Sequence, residues 1–251
     1  MERQLKPELL DELPANDPAA IRSRADLRRL NILMGHASIA AGVLNALPKS
    51  PETILEIGAG DGTFLLGVVQ RLSSTGGKGK ATLLDQQNIV GTQTKNEFSR
   101  TGWEPEIVTT DLFDWLEHSG AKHYGVILAN LFLHHFRNDQ LRLIFHRLAD
   151  RCDTFVGIEP RRAPFPLVLS HTLGLIGCNR VTRHDAVVSV RAGFCRSELS
   201  RLWPENSSWT LCERPAGLFS HLFFTTMVGA NATRLVQAGS RQQNIAVSNT
   251  R

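Results

Sequence analysis

Thr53-Ile54-Leu55-Glu56-Ile57-Gly58-Ala59-Gly60-Asp61-Gly62-Thr63-Phe64-Leu65-Leu66 is the stretch on which the fold turns. Residues 53–57 read as a strand, three glycines follow at alternate positions, and residues 63–72 carry a helical apolar pattern. A strand that enters a glycine loop and leaves as a helix aims backbone N–H groups at a ligand's polar end. A dinucleotide-binding loop would place its third glycine three residues after the second, where Thr63 stands, so the spacing here is G-x-G-x-G. Glycines that serve only the turn are the alternative, and the ladder that follows weighs against it.

Working outward, strands are expected at residues 81–84, 106–109, 126–129 and 154–158, with helices near 90–98, around Trp115, and at 139–148. Such alternation predicts a doubly wound α/β fold with a parallel sheet. Strands at 209–213 and 221–227 lie close enough to pair antiparallel, completing a seven-stranded, mostly parallel sheet whose last strand is antiparallel. Ahead of the loop, Asp17-Pro18 reads as a helix cap and first turn. Leu27, Leu30 and Met34 recur at helical spacing until Gly35, and a second helix is expected over 37–46. Residues 1–50 are thus expected to be an N-terminal helical cap and 51–229 the main domain. Within it, 161–194 is read as an inserted cap: 163–177 is apolar and helical after its prolines, whereas 178–191 shows no clear period. A helix is expected over 195–203, and 230–251 as a disordered tail.

At 251 residues, 42% hydrophobic and 21% charged, the chain suits one large soluble domain. The N-terminus lacks the apolar run of a signal peptide or membrane span, so a cytoplasmic protein is expected. The four cysteines, Cys152, Cys178, Cys195 and Cys212, form no C-x-x-C pair, and no zinc site or other metal is expected. A formal charge of +4 does not establish nucleic-acid binding.

The loop and its ladder resemble the class I S-adenosylmethionine (SAM)-dependent methyltransferase family, over roughly residues 53–227. That resemblance implies SAM as cofactor, held by Glu56, Gly58, Ala59, Gly60 and Gly62. Asp85, at the end of LLDQQ, would hold the ribose hydroxyls, although it could also be a strand-ending turn residue. In TTDLFDW, Asp111 would meet the adenine amino group and Leu112 the ring, with a helix cap as the alternative for Asp111. Asn130 would line the space beside the sulfonium through its backbone.

Methyl transfer from a sulfonium needs alignment more than covalent catalysis, yet an oxygen acceptor gains from a base. His134 and His135 in ANLFLHHF, and His184 beside Asp185, are the candidates, each with a structural role as its alternative. Asn130-Leu131-Phe132-Leu133 lacks the Asn/Asp-Pro-Pro-aromatic motif of amino-group methylases, and no cysteine adjoins proline as in pyrimidine C5 methylases. The insert carries Arg161, Arg162, Arg180, Arg183 and Arg191 against the single acid Asp185. Arg161, Arg183 and Arg191 are therefore expected to bind a phenolate, carboxylate or phosphate, with a solvated surface as the alternative. NRVTRHDAVVSVRAGF and the preceding IEPRR are similar to bacterial methyltransferases of polyketide and phenolic-lipid pathways. The expected activity is O-methylation of a small phenolic or acidic metabolite, with C-methylation of an activated ring second. An RNA methyltransferase and a catalytically silent SAM-fold partner subunit are the alternatives. A homo-oligomer is compatible with the sequence.

Overall fold

A computed structural model describes residues 1–73, 76–120, 122–205 and 208–227; the expected tail at 230–251 lies outside them. The chain opens with α1 (Leu9–Glu12), α2 (Pro18–Met34) and α3 (His36–Asn45). Asp17 caps α2 by accepting from the N–H of Ala19 at 2.7 Å, and Gly35, at φ +71°, ends α2 and starts α3. Then follow β1 (Thr53–Ile57), α4 (Thr63–Ser73), β2 (Gly79–Asp85), α5 (Thr92–Arg100), β3 (Trp103–Thr109), α6 (Leu112–His118) and β4 (Tyr124–Asn130). After a short 3-10 turn at Leu133–His135 come α7 (Asn138–Ala149), β5 (Cys152–Pro160), α8 (Pro164–Ser170) and α9 (Arg180–Ala192). The chain closes on β6 (Trp209–Ala216) and β7 (Ser220–Met227).

The strands form one seven-stranded sheet in the order β3-β2-β1-β4-β5-β7-β6, with β7 antiparallel to both neighbours and the first five parallel. Pro105 and Pro215 fall in the two edge strands, where a missing N–H breaks no interior ladder. The pleat sends successive side chains to opposite faces. Ile54, Val126 and Leu128 pack under α3 and α4 with Leu65, Val69 and Leu44. Leu55, Ile127 and Ala129 pack the other way against α6 and α7 with Trp115, Phe145 and Leu148. Two buried layers thus clamp the sheet and fix the ends of its strands.

Two expectations need correction. Residues 180–192 form a regular helix, α9, although no period was visible there. Its buried face carries Thr182 and Asp185 beside Val181 and Val188, and these polar groups are satisfied by the N-terminal helices. Thr182 Oγ1 meets Ser23 Oγ at 2.9 Å, and Asp185 accepts from the N–H groups of Leu9 and Leu10 at 2.8 and 3.0 Å. Residues 195–203 form turns, not the expected helix. There the N–H groups of Leu199 and Ser200 go to the Glu213 carboxylate at 3.0 and 2.7 Å, and Arg196 adopts φ +57°. Among the described residues no helix is long and apolar enough to cross a membrane.

Candidate functional site

The strand order reverses between β1 and β4, and in open α/β sheets that is where a crevice opens beyond the carboxyl ends of the strands. A cavity of about 380 Å³ lies there, within the range of small-molecule sites. Its floor is the glycine loop. Gly58, Gly60 and Gly62 all have positive φ, a conformation that side chains with a Cβ adopt at a cost. At Gly58 a Cβ would also lie 2.2 Å from the Phe132 ring, whereas at Gly60 nothing stands within 4 Å, leaving that backbone open to a ligand. The N–H of Ala59 donates to Leu84 O at 3.0 Å and ties the loop to β2.

Asp85, at the end of β2, accepts from Gly60 N at 2.8 Å through Oδ2 and from Gln87 N at 2.8 Å through Oδ1. Burial raises its pKa, partly offset by these bonds. Glu56 is 2% exposed, and its Oε2 has no hydrogen-bond partner. Burial, and then the nearby Asp61 and Asp85, push its pKa well above the ordinary range. Such a carboxyl calls for a cation. Asp111 caps α6, accepting from Phe113 N at 2.7 Å and Asp114 N at 3.4 Å, both through Oδ1, so Oδ2 is left for another partner. Leu112 is buried behind it, and both line the cavity. Asn130 also lines the cavity; its Oδ1 accepts from His36 Nδ1 at 2.7 Å, and its backbone closes the end of β4.

A cap was expected over residues 1–50, but not which of its side chains reach the cavity. Residues 8–31 supply Glu8, Asp11, Arg24, Arg28 and Asn31 to the cavity. Arg28 bridges to Asp61 of the glycine loop at 2.6 Å. Arg3 anchors the segment from outside, donating to Ala192 O at 2.7 Å and Phe136 O at 2.8 Å, with its guanidinium 4.4 Å from the Phe194 ring centroid. No motif marks these residues, because each acts from outside the contiguous strand, loop and helix that form the glycine loop.

The three histidines separate. His134 is buried and does not line the cavity. Its Nδ1 lies 2.7 Å from Glu159 Oε2 and its Nε2 3.2 Å from Glu8 Oε1. Burial alone would lower its pKa, but the two carboxylates raise it to about 9, so in this state both nitrogens donate and neither can act as a base. Glu159 also accepts from the N–H groups of Phe132 and Leu133 at 3.0 and 2.8 Å, holding a turn in which Leu131 takes φ +53°. His135 does line the cavity, with Nδ1 3.3 Å from Asp11 Oδ2. His184 meets Asp185 at 2.8 Å but lies away from the cavity, as do Arg161, Arg183 and Arg191. Among the described residues, the arginines that line the cavity are Arg24 and Arg28, on α2.

No protein-family model matches this chain, and no curated protein matches it. Among solved structures it is similar to the plantazolicin methyltransferase BpumL in complex with SAH, at 13% identity and TM-score 0.60, covering 84% of this chain and 91% of that one. It is similar to the plantazolicin methyltransferase BamL in complex with a triazolic desmethylPZN analog and SAH, at 13% identity and TM-score 0.59, covering 88% and 93%. It is also similar to an O-methyltransferase family protein from Burkholderia thailandensis, at 15% identity and TM-score 0.57, covering 85% of this chain and 61% of that one. At such identities the likeness speaks for architecture: this chain has the class I, Rossmann-like methyltransferase fold.

Proposed function

We propose that this protein transfers the methyl group of SAM to an oxygen of a small phenolic or acidic acceptor. The observation that carries the reading is Glu56, a buried carboxyl with an unpartnered oxygen beside an open glycine backbone and the Asp85 carboxylate. A ligand with an ammonium group and a ribose diol would satisfy both acids. SAM supplies an electrophilic methyl group when bound. Asp85 holds the hydroxyls, Glu56 the ammonium and Arg28 the carboxylate, while Asp111 and Leu112 receive the adenine. The SAH-bound neighbours of the same fold support the choice of SAM as the ligand.

The acceptor side is drawn from the groups that remain. Phe132 and Phe136, with ring centroids 5.1 Å apart, offer faces to an aromatic ring, and Arg24 offers a cation to an acidic group. His135 is placed to take the acceptor's proton, and alignment of the reacting atoms does the rest. A roof over the cavity favours a small acceptor over a polynucleotide.

Calorimetry of the full chain with SAM and SAH tests the reading. Both should bind saturably, and Asp85→Ala should weaken them roughly 10- to 100-fold through loss of charge-assisted hydrogen bonds. No binding at millimolar SAM would remove the proposal. A second reading, a SAM-fold subunit that docks a partner through its cap, is favoured by the exposed Val168, Leu175 and Ile176. It predicts donor binding without turnover until that partner is added.

A further inference from the structure

Glu8, His134 and His135 each present one potential ligand atom, and these atoms lie within 4.8 Å of one another. They come from the segment before α1 and from the turn after β4, 126 positions apart in the case of Glu8 and His134. A carboxylate or hydroxyl stands behind each. Glu159 Oε2 is 2.7 Å from His134 Nδ1, the Ser189 hydroxyl donates to Glu8, and Asp11 Oδ2 is 3.3 Å from His135 Nδ1. Carboxylates bound to one ring nitrogen orient a histidine and strengthen the other nitrogen as a metal ligand.

We propose that Glu8, His134 and His135 bind a divalent metal ion of the zinc type at the wall of the cavity, the ion replacing the proton that His134 Nε2 shares with Glu8, which leaves to solvent. Two imidazoles and one carboxylate are a donor set that zinc accepts while keeping a fourth position open. Zinc bonds of about 2.0 to 2.2 Å put ligand atoms roughly 3.3 Å apart. Glu8 Oε1 and His134 Nε2 already stand at 3.2 Å, so His135, whose side chain is 26% exposed, is the ligand that swings in. Glu8 and Glu159 are 9% and 0% exposed, and a dication answers the charge of both.

Because Glu8 and His135 also line the cavity, the open position faces the place assigned to the acceptor. An oxygen bound there would give up its proton to solvent more readily, and His135 would then serve the reaction as a ligand instead of as a base. This use of the ion rests on the methyl-transfer reading; its binding does not.

The test uses the full chain, stripped with a chelator and titrated with zinc chloride by calorimetry and with cobalt chloride by visible absorption. One equivalent of zinc should bind, with cobalt giving the d–d bands of a low-coordinate nitrogen and oxygen site. The volume-preserving Glu8→Gln and the partly exposed His135→Ala should each weaken binding roughly 10- to 100-fold or more. The surface variant His146→Ala should leave it unchanged. The proposal is overturned by the absence of one-equivalent binding, by affinity indifferent to Glu8→Gln and His135→Ala, or by equal loss in His146→Ala. SAH titrated into the stripped protein reports separately on the donor site, so either idea can fail while the other stands.

Discussion

His36 sits without exposed surface between Asn130 and Ser220, at 2.7 Å from each. Asn130 Oδ1 can only accept, so Nδ1 carries the proton and Nε2 accepts from the Ser220 hydroxyl. Burial brings the pKa of His36 down from 6.5 to about 4, against the opposing pull of the Asn130 bond and of Glu159. The unfolded chain therefore binds a proton that the folded chain refuses. Stability from this source is fully present above pH 6.5 and is lost as pH falls toward 4, by about 3 kcal/mol over the interval. Urea midpoints at about pH 7.5 and about pH 5 should differ more in the wild type than in His36→Gln. Equal differences in the two proteins would contradict it. Not all residues of the site could be read beforehand. Gly58, Gly60 and Asp85 were legible because strand, loop and helix are contiguous. Glu8, Arg24 and Arg28 were not, since a side chain that reaches the site from a separate segment leaves no local pattern, and neither was His36, which acts behind Asn130. His134 and His135 are neighbours in sequence with different surroundings, and only the positions of Glu159, Glu8 and Asp11 tell them apart.

Among the elements, α9 joins the cap to the N-terminal helices through polar contacts on its inner face. Asp185 satisfies the first N–H groups of α1, which its own N-cap position, Glu8, leaves without a side-chain bond. Asp185→Ala should cost about 1–3 kcal/mol and loosen residues 1–16 before the sheet unfolds. Limited proteolysis would show earlier cleavage in that segment, and an unchanged cleavage order would count against the latch. The same contacts explain why α9 escaped a reading by hydropathy: a helix that buries Thr182 and Asp185 has no clean apolar stripe. Residues 195–203 failed in the opposite sense, their pattern being helical while Glu213 captures the N–H groups a helix would use. The five parallel strands were readable because their apolar runs are bounded by loops at regular intervals.

For the molecule as a whole, the sheet provides the rigid floor and the N-terminal segment the roof, so a ligand between them should stabilise both. At 100 times its Kd, SAH should add about 2.7 kcal/mol and raise the melting temperature by about 5 to 10 °C. A melting curve unmoved by saturating SAH would mean that floor and roof do not close on the donor. The roof also has a history in time. Arg3 finds Ala192 O across 189 positions, and Arg162 reaches back 161 positions to Met1 O. At roughly 5–20 residues per second of synthesis, the leading segment leaves the ribosome some ten to forty seconds before its anchor exists. It must wait without these partners beside a growing sheet. A nascent chain halted before residue 192 would carry five parallel strands and the glycine loop, yet its ligand crevice would still stand open to the translating cell's solvent.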